Sequence, residues 1–328
     1  MRRLGARIAF LALALLAGRA WASSSAEQPY RIDSSGRLVT DVYVDGQGPF
    51  SFVIDTASSR SLIFEHVRRQ LGLTQSRPER MKIYGINDVA DIMPVKPGGL
   101  RIAGEAVQGL TLGVVPDSSS AGPDGILGID VLSRYFVVLD RGAMRLKLLP
   151  PGEDSAKAYT DWAKNPLTLR ALKNLPVQFW YLKIRINDHE LTALFDLGAT
   201  TTMMNWDAAE RLGLRRSHFA AVYGPPPVEV QDVLGKLAPV INVEGLVVRL
   251  PGRSWSGRSV LVADAPVFGY FDLEEQPAAI LGADLLRNDS LAIDFAGQRL
   301  YVGPARGLLP KDASGFVPKE MGGLSRPF

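Results

Sequence analysis

Phe50-Ser51-Phe52-Val53-Ile54-Asp55-Thr56-Ala57-Ser58-Ser59 is the stretch whose reading decides the fold. Apolar residues of strand type run up to a carboxylate, stop there, and give way to small residues. Downstream the pattern returns as Leu191-Thr192-Ala193-Leu194-Phe195-Asp196-Leu197-Gly198-Ala199-Thr200. One such aspartate standing alone reads as an Asx-type turn at a strand end. Two with matching flanks read differently, because strands that each deliver an Asp into a tight small-residue loop can hold two carboxylates rigidly where the loops meet.

Outward from these loops the two halves run through the same elements. Leu38 to Val44 reads as a strand, Asp45-Gly46-Gln47-Gly48-Pro49 as a turn, and Phe50 to Ile54 as the return strand of a hairpin feeding Asp55. Phe64 to Leu71 then reads as a short helix stopped by Gly72. In the second half Trp180 to Ile186, the turn Asn187-Asp188-His189-Glu190 and Leu191 to Phe195 lead into Asp196, and Asn205 caps a helix from Trp206 to Leu212. Asp55 to Asp196 is an offset of 141, and Leu71-Gly72-Leu73 maps onto Leu212-Gly213-Leu214 at the same 141. Tyr84-Gly85 maps onto Tyr223-Gly224 at 139. Gly125-Ile126-Leu127-Gly128-Ile129-Asp130 answers Ala279-Ile280-Leu281-Gly282-Ala283-Asp284 at 154, and each half closes on a final hairpin. The repeat predicts a mainly β protein of two duplicated domains. Asp130 and Asp284, after Gly and before apolar helical residues, read as helix N-caps. Asp140 and Asp294 read as residues of hairpin turns.

The resulting partition is a signal peptide over 1–22, a first domain over 27–150, a linker over 151–175 with one short helix, a second domain over 176–304 and a tail over 305–328. The signal reading rests on Arg2, Arg3 and Arg7 before an apolar run from Ile8 to Gly18, then Ala20-Trp21-Ala22 as a small-x-small cleavage site. It implies export across the inner membrane to the periplasm, with no stable membrane anchor left after cleavage. Losing Arg2, Arg3, Arg7 and Arg19 takes the formal net charge from +3 to −1, so nothing electrostatic points to nucleic acid. The 328 residues contain no cysteine, which excludes disulfides, thiolate chemistry and Cys-based metal sites. His66, His189 and His218 share no ligand spacing and read as surface or helix residues, so no metal and no cofactor are expected. His-Glu-x-x-His and Gly-x-Ser-x-Gly are both missing from the sequence.

With the paired Asp loops and paired Ile-Leu-Gly segments in view, the chain resembles the retropepsin-like and pepsin-type aspartic proteases, most nearly the tandem two-lobed form of bacterial envelopes. The resemblance covers about residues 30 to 304. It implies two retropepsin-like β-barrel domains related by a pseudo-two-fold axis, with Asp55 and Asp196 as the catalytic pair. Thr56, Ala57 and Ser58 of one loop and Gly198, Ala199 and Thr200 of the other would support them, and Tyr84-Gly85 and Tyr223-Gly224 would lie in flaps over the substrate. The chain departs from the family pattern at Ala57, where the family has Gly, and at Leu197, where it has a hydroxyl residue that helps tie the loops together.

The chemistry follows from crowding two carboxylates. Like charges in hydrogen-bonding range do not both ionise, so one proton is shared. The ionised member takes a proton from water and the protonated member donates to the carbonyl, with no covalent intermediate. The expected function is an extracytoplasmic aspartic endopeptidase acting on a peptide or protein substrate as a monomer, each lobe giving one Asp. The rivals are a protease-fold protein that grips peptide without cutting it, kept open by Ala57 and Leu197, and a glycosidase, which would need carboxylates farther apart.

Overall fold

The hairpins that end in the two aspartates close through matched two-residue turns. Strand Leu38–Val44 pairs antiparallel with Gln47–Ile54 around Asp45 and Gly46, both at positive φ (49° and 77°). Strand Gln178–Ile186 pairs with His189–Phe195 around Asn187 and Asp188 (43° and 72°). Asp, Asn and Gly tolerate this left-handed backbone, and turns of this kind match the twist of paired strands. Both turns are therefore tighter than the five- and four-residue segments expected. The computed structural model that shows this describes residues 26–75, 80–117, 122–217 and 228–304. The expected signal peptide, the C-terminal tail, His218, Tyr223 and Gly224 lie outside the described residues.

In each half the strand carrying Ile-Leu-Gly inserts beside the strand that delivers the aspartate. Gly125–Leu127 runs parallel to Gln47–Ile54, with Leu127 opposite Ile54, and antiparallel to Leu62–Phe64. Ala278–Leu281 runs parallel to His189–Phe195, with Leu281 opposite Phe195, and antiparallel to Met203–Met204. Each Asp loop therefore emerges between two strands bonded to the same neighbour. The side chains that fix this register, among them Phe52, Ile54, Leu127, Phe195 and Leu281, are fully buried. A shift of one residue would turn that apolar set toward solvent.

The lobes are joined by more than chain continuity. Phe136–Asp140 pairs antiparallel with Ser290–Asp294, the corresponding strand of the other half, so one sheet of fourteen strands crosses between them. The exchange is two-fold in character, with Val137 opposite Ile293 and Leu139 opposite Leu291. Asp140 and Asp294 accept N–H groups from Ala143 and Gly297 within the closing hairpins (3.1 and 2.7 Å). The molecule is a mainly β protein of two similar lobes.

The 151–175 stretch, read as a linker, carries the expected short helix (Glu153–Lys157) and also two strands. Ala163–Pro166 pairs with the closing strand Arg299–Gly303 as Ala26–Ile32 pairs with Arg145–Leu149, and Thr168–Ala171 pairs with Gln178–Ile186. The opening strand of the second repeat therefore lies inside that stretch. Its sequence, Ala-Lys-Asn-Pro, has no apolar alternation, because it lies at the outer edge of the sheet and is held by backbone pairing and by the buried Asn165 rather than by an apolar face.

Candidate active site

Each aspartate loop is pinned by the same bonds in both lobes. The N–H of Asp55 donates to the carbonyl of Leu127 (3.0 Å), and that of Asp196 to the carbonyl of Leu281 (3.1 Å). The N–H of Ile129 donates to Ser58 (2.9 Å), and that of Ala283 to Ala199 (2.8 Å). This approach requires glycine before each short helix. A Cβ on Gly128 would lie 2.7 Å from the backbone of Ser58 and Arg60, and one on Gly282 2.7 Å from the backbone of Thr201. The repeated Ile-Leu-Gly is thus the support on which the Asp loops rest.

Asp130 and Asp284 are not N-caps. Gly128 and Gly282 occupy the cap positions with no side-chain cap, and the aspartates sit in the first helical turn, facing the loops. One oxygen of Asp130 accepts both the N–H and the hydroxyl of Ser61 (2.9 and 2.7 Å), and one of Asp284 does the same for Thr202 (2.9 and 2.8 Å). Those hydroxyls in turn accept the N–H groups of Gly128 (3.0 Å) and Gly282 (3.1 Å). Burial raises both aspartates above the usual carboxylate range, against the lowering effect of these bonds. The sequence reading passed over Ser61 and Thr202, yet they stand at the same offset of 141 as the two loop aspartates.

The Asp loops meet at the floor of the cleft. The hydroxyl of Thr56 donates to the carbonyl of Phe195 (2.7 Å) and accepts the N–H of Leu197 (3.0 Å), so one side chain clamps the opposite loop at two points. Leu197 supplies no reciprocal hydroxyl, and its side chain is fully buried in the apolar core. Asp55 accepts the N–H of Ala57 (2.8 Å), and Asp196 accepts those of Gly198 (2.9 Å) and Ala199 (3.0 Å). Gly198 lies directly against the Asp55 carboxyl, where a Cβ would overlap the carboxyl carbon.

Both carboxyl groups reach the cleft but are otherwise surrounded by protein, and burial is the main cause of their raised pKa values. Asp55 is pushed up to about 6, against the lowering effect of the Ala57 and Ser58 N–H groups. Asp196 is pushed further, to about 8, by burial and then by the negative charge of Asp55. The two carboxyl groups titrate as one interacting pair, and burial holds a proton between them well above the ordinary carboxylate range. The arrangement can activate a water and protonate a carbonyl oxygen at neighbouring positions.

Above the pair lies a cleft of about 820 Å³ reached by both lobes. Val53, Leu62 and Ile126 from the first lobe and Phe179, Leu261 and Ile280 from the second give it apolar walls. Ser58 and Thr200 line it near the aspartates. Tyr84 and Gly85 lie at the end of a separate hairpin, Met81–Tyr84 with Val89–Ile92, and both line the cleft. On the second lobe the covering hairpin is Val228–Gln231 with the long strand Leu237–Leu250, and its turn is at Asp232–Lys236, beyond Tyr223-Gly224. His66 lies away from the pair, its ring between Asp117 (2.7 Å) and Asp124 (2.9 Å). Burial alone would lower the pKa of His66, but the hydrogen bonds to Asp124 and Asp117 outweigh it and raise it. His189 opens its strand in an exposed position.

A duplicated β lobe, one aspartate loop from each copy, and a two-walled cleft over the junction define the two-lobed acid-protease class. The sequence profile of the aspartyl protease family matches the chain twice, over residues 40–131 and 182–285, and the chain belongs to that family. A search of curated proteins found no match.

Proposed function

We propose that the protein is an extracytoplasmic aspartic endopeptidase in which Asp55 and Asp196 share one proton. The ionised member of the pair takes a proton from the attacking water, and the protonated member donates to the peptide carbonyl. The N–H groups of Ala57, Gly198 and Ala199 hold the carboxylates in place, so little reorganisation is needed during the reaction. A single chain supplies both halves, so catalysis needs no second copy. The periplasm is the proposed location, from the arginine-led apolar leader at the start of the sequence.

One observation carries this reading: the Asp55 carboxyl packs on the Cα of Gly198, two residues beyond Asp196 in the opposite loop. An aspartate serving only as a turn residue has no reason to lie against its counterpart's loop. The test is cleavage of a peptide library from acidic to neutral pH, with and without a statine-type inhibitor, by the wild type, Asp55→Asn and Asp196→Asn. Cleavage that the inhibitor blocks and either substitution abolishes is the expected result. Wild-type rates in Asp196→Asn would refute the shared dyad. Saturable binding of uncut peptide by the wild type would establish the non-cleaving alternative that Leu197 suggests.

A further inference from the structure

The two hairpins over the cleft each lay their tip on the other lobe. Ile86, at the tip of the first-lobe hairpin, packs against the second-lobe cluster that contains Phe179, Val267 and Phe268. In exchange, Val233 and Leu234, at the tip of the second-lobe hairpin, pack against the first-lobe cluster of Leu62, Ile83 and Ile92. Polar bonds fix the crossing. The N–H of Val267 donates to the carbonyl of Ile86 (3.0 Å), and Asn87 donates to the carbonyl of Leu237 (3.3 Å). The rings of Tyr84 and Tyr270 meet at 5.1 Å between centroids, also across the lobes.

Asp232 stands at the centre of this crossing. One of its oxygens accepts the N–H groups of Leu234 and Lys236 (both 2.9 Å), which closes its own turn. The other accepts the N–H of Ile86 (3.0 Å) from the opposite lobe. Gly85 makes that reach possible, since a Cβ there would overlap the Asp232 carboxyl. The carboxylate therefore shapes one hairpin and holds the other with the same group. Ile86 has both its N–H and its carbonyl bonded to the second lobe, so the crossed hairpins bridge the cleft from one lobe to the other.

We propose that Asp232 is a positioning residue that latches the two hairpins over the cleft and sets how readily a peptide is admitted and enclosed. The peptide part rests on the endopeptidase reading; the latch itself does not. Hydrogen exchange of the full chain without substrate tests the latch directly, because local opening is read at the amides of residues 81–92. In Asp232→Ala the loss of a charge-assisted bond is expected to speed exchange there by roughly tenfold or more, with the remaining core unchanged. Gly85→Ala, which displaces the carboxylate without removing it, is expected to speed exchange at 81–92 while leaving 229–240 protected. Asp232→Asn, which keeps one acceptor oxygen, is expected to fall between Asp232→Ala and the wild type. On a cleaved peptide, Asp232→Ala is expected to raise KM more than it lowers kcat. If Asp232→Ala speeds exchange only in 229–240, or if neither Ala variant changes 81–92, Asp232 merely caps its own turn and the latch is overturned.

Discussion

Replacing Asp196 by Asn is expected to stabilise the fold near neutral pH while destroying the proposed catalysis. Asp196 is an acid whose pKa is raised from an ordinary 3.8 to about 8 by burial and by Asp55. The sign follows from proton linkage: below 3.8 both folded and unfolded chains hold the proton and nothing is lost. Above 3.8 the unfolded chain releases it and the folded chain does not, so stability falls as pH rises toward the folded value. At about 1.4 kcal/mol for each pH unit between 3.8 and 7, the ceiling on this loss is roughly 4.5 kcal/mol. Asn removes the titration yet keeps an oxygen to accept the N–H groups of Gly198 and Ala199. Thermal or denaturant unfolding of both proteins from pH 3 to 8 is the assay, at about 1.5 °C per kcal/mol for a chain of this size. The two curves should converge near pH 3 and separate above pH 5, with the variant the more stable. Parallel curves, or a variant less stable at pH 8, would show that Asp196 is not held protonated beside Asp55.

The same geometry gives further expectations. Gly198→Ala should abolish peptide cleavage while the protein still folds, because the new methyl overlaps the Asp55 carboxyl, whereas Ala57→Gly should leave the rate within a few-fold; peptide assays and circular dichroism separate the two. Thr56→Val should cost about 2–4 kcal/mol in denaturant unfolding, since it leaves the buried Phe195 carbonyl and Leu197 N–H without their partner. Ser61→Ala and Thr202→Ala should each cost about 1–3 kcal/mol for the same kind of reason, by stripping a hydroxyl from a buried aspartate and a glycine N–H. The cleavage rate of the wild type should rise and fall over a range reaching neutral pH, above that of a carboxylate pair at ordinary values, because both pKa values are raised.

How much of this was legible in the sequence varied with what fixes each element. The hairpins into Asp55 and Asp196 were plain, because an apolar run with a polar turn before it and a small-residue loop after it is encoded locally. The Ile-Leu-Gly segments were plain as a repeat but not in their role. Gly128 and Gly282 are needed for contacts with backbone more than sixty positions away, and no local pattern carries that. The same distance hid the work of Asp130 and Asp284, where the local rule for a helix start suggested capping and a long-range partner, Ser61 or Thr202, claims the carboxylate instead. The strand at Ala163–Pro166 was illegible because an edge strand held by backbone bonds leaves little trace in side-chain pattern. The flap expected at Tyr223-Gly224 lies outside the described residues. Tyr223-Gly224 matched the register of Tyr84-Gly85, while the turn that meets Gly85 in space is at Asp232.

The two departures from the family pattern look equally serious as letters and are unequal in space. Ala57 keeps the N–H that its loop gives to Asp55, and its methyl packs against the apolar cluster of the second lobe. Its counterpart Gly198 faces the Asp55 carboxyl and has no room for a methyl. The substitution has therefore fallen on the side that accommodates it. Leu197 likewise removes a hydroxyl, but a hydroxyl can donate once and accept twice, and Thr56 alone spans the junction in both directions. What Leu197 contributes in exchange is complete burial in the core beneath the junction. With Gly198 against the Asp55 carboxyl and Ala57 where its methyl has room, neither departure displaces the two aspartate loops from their junction.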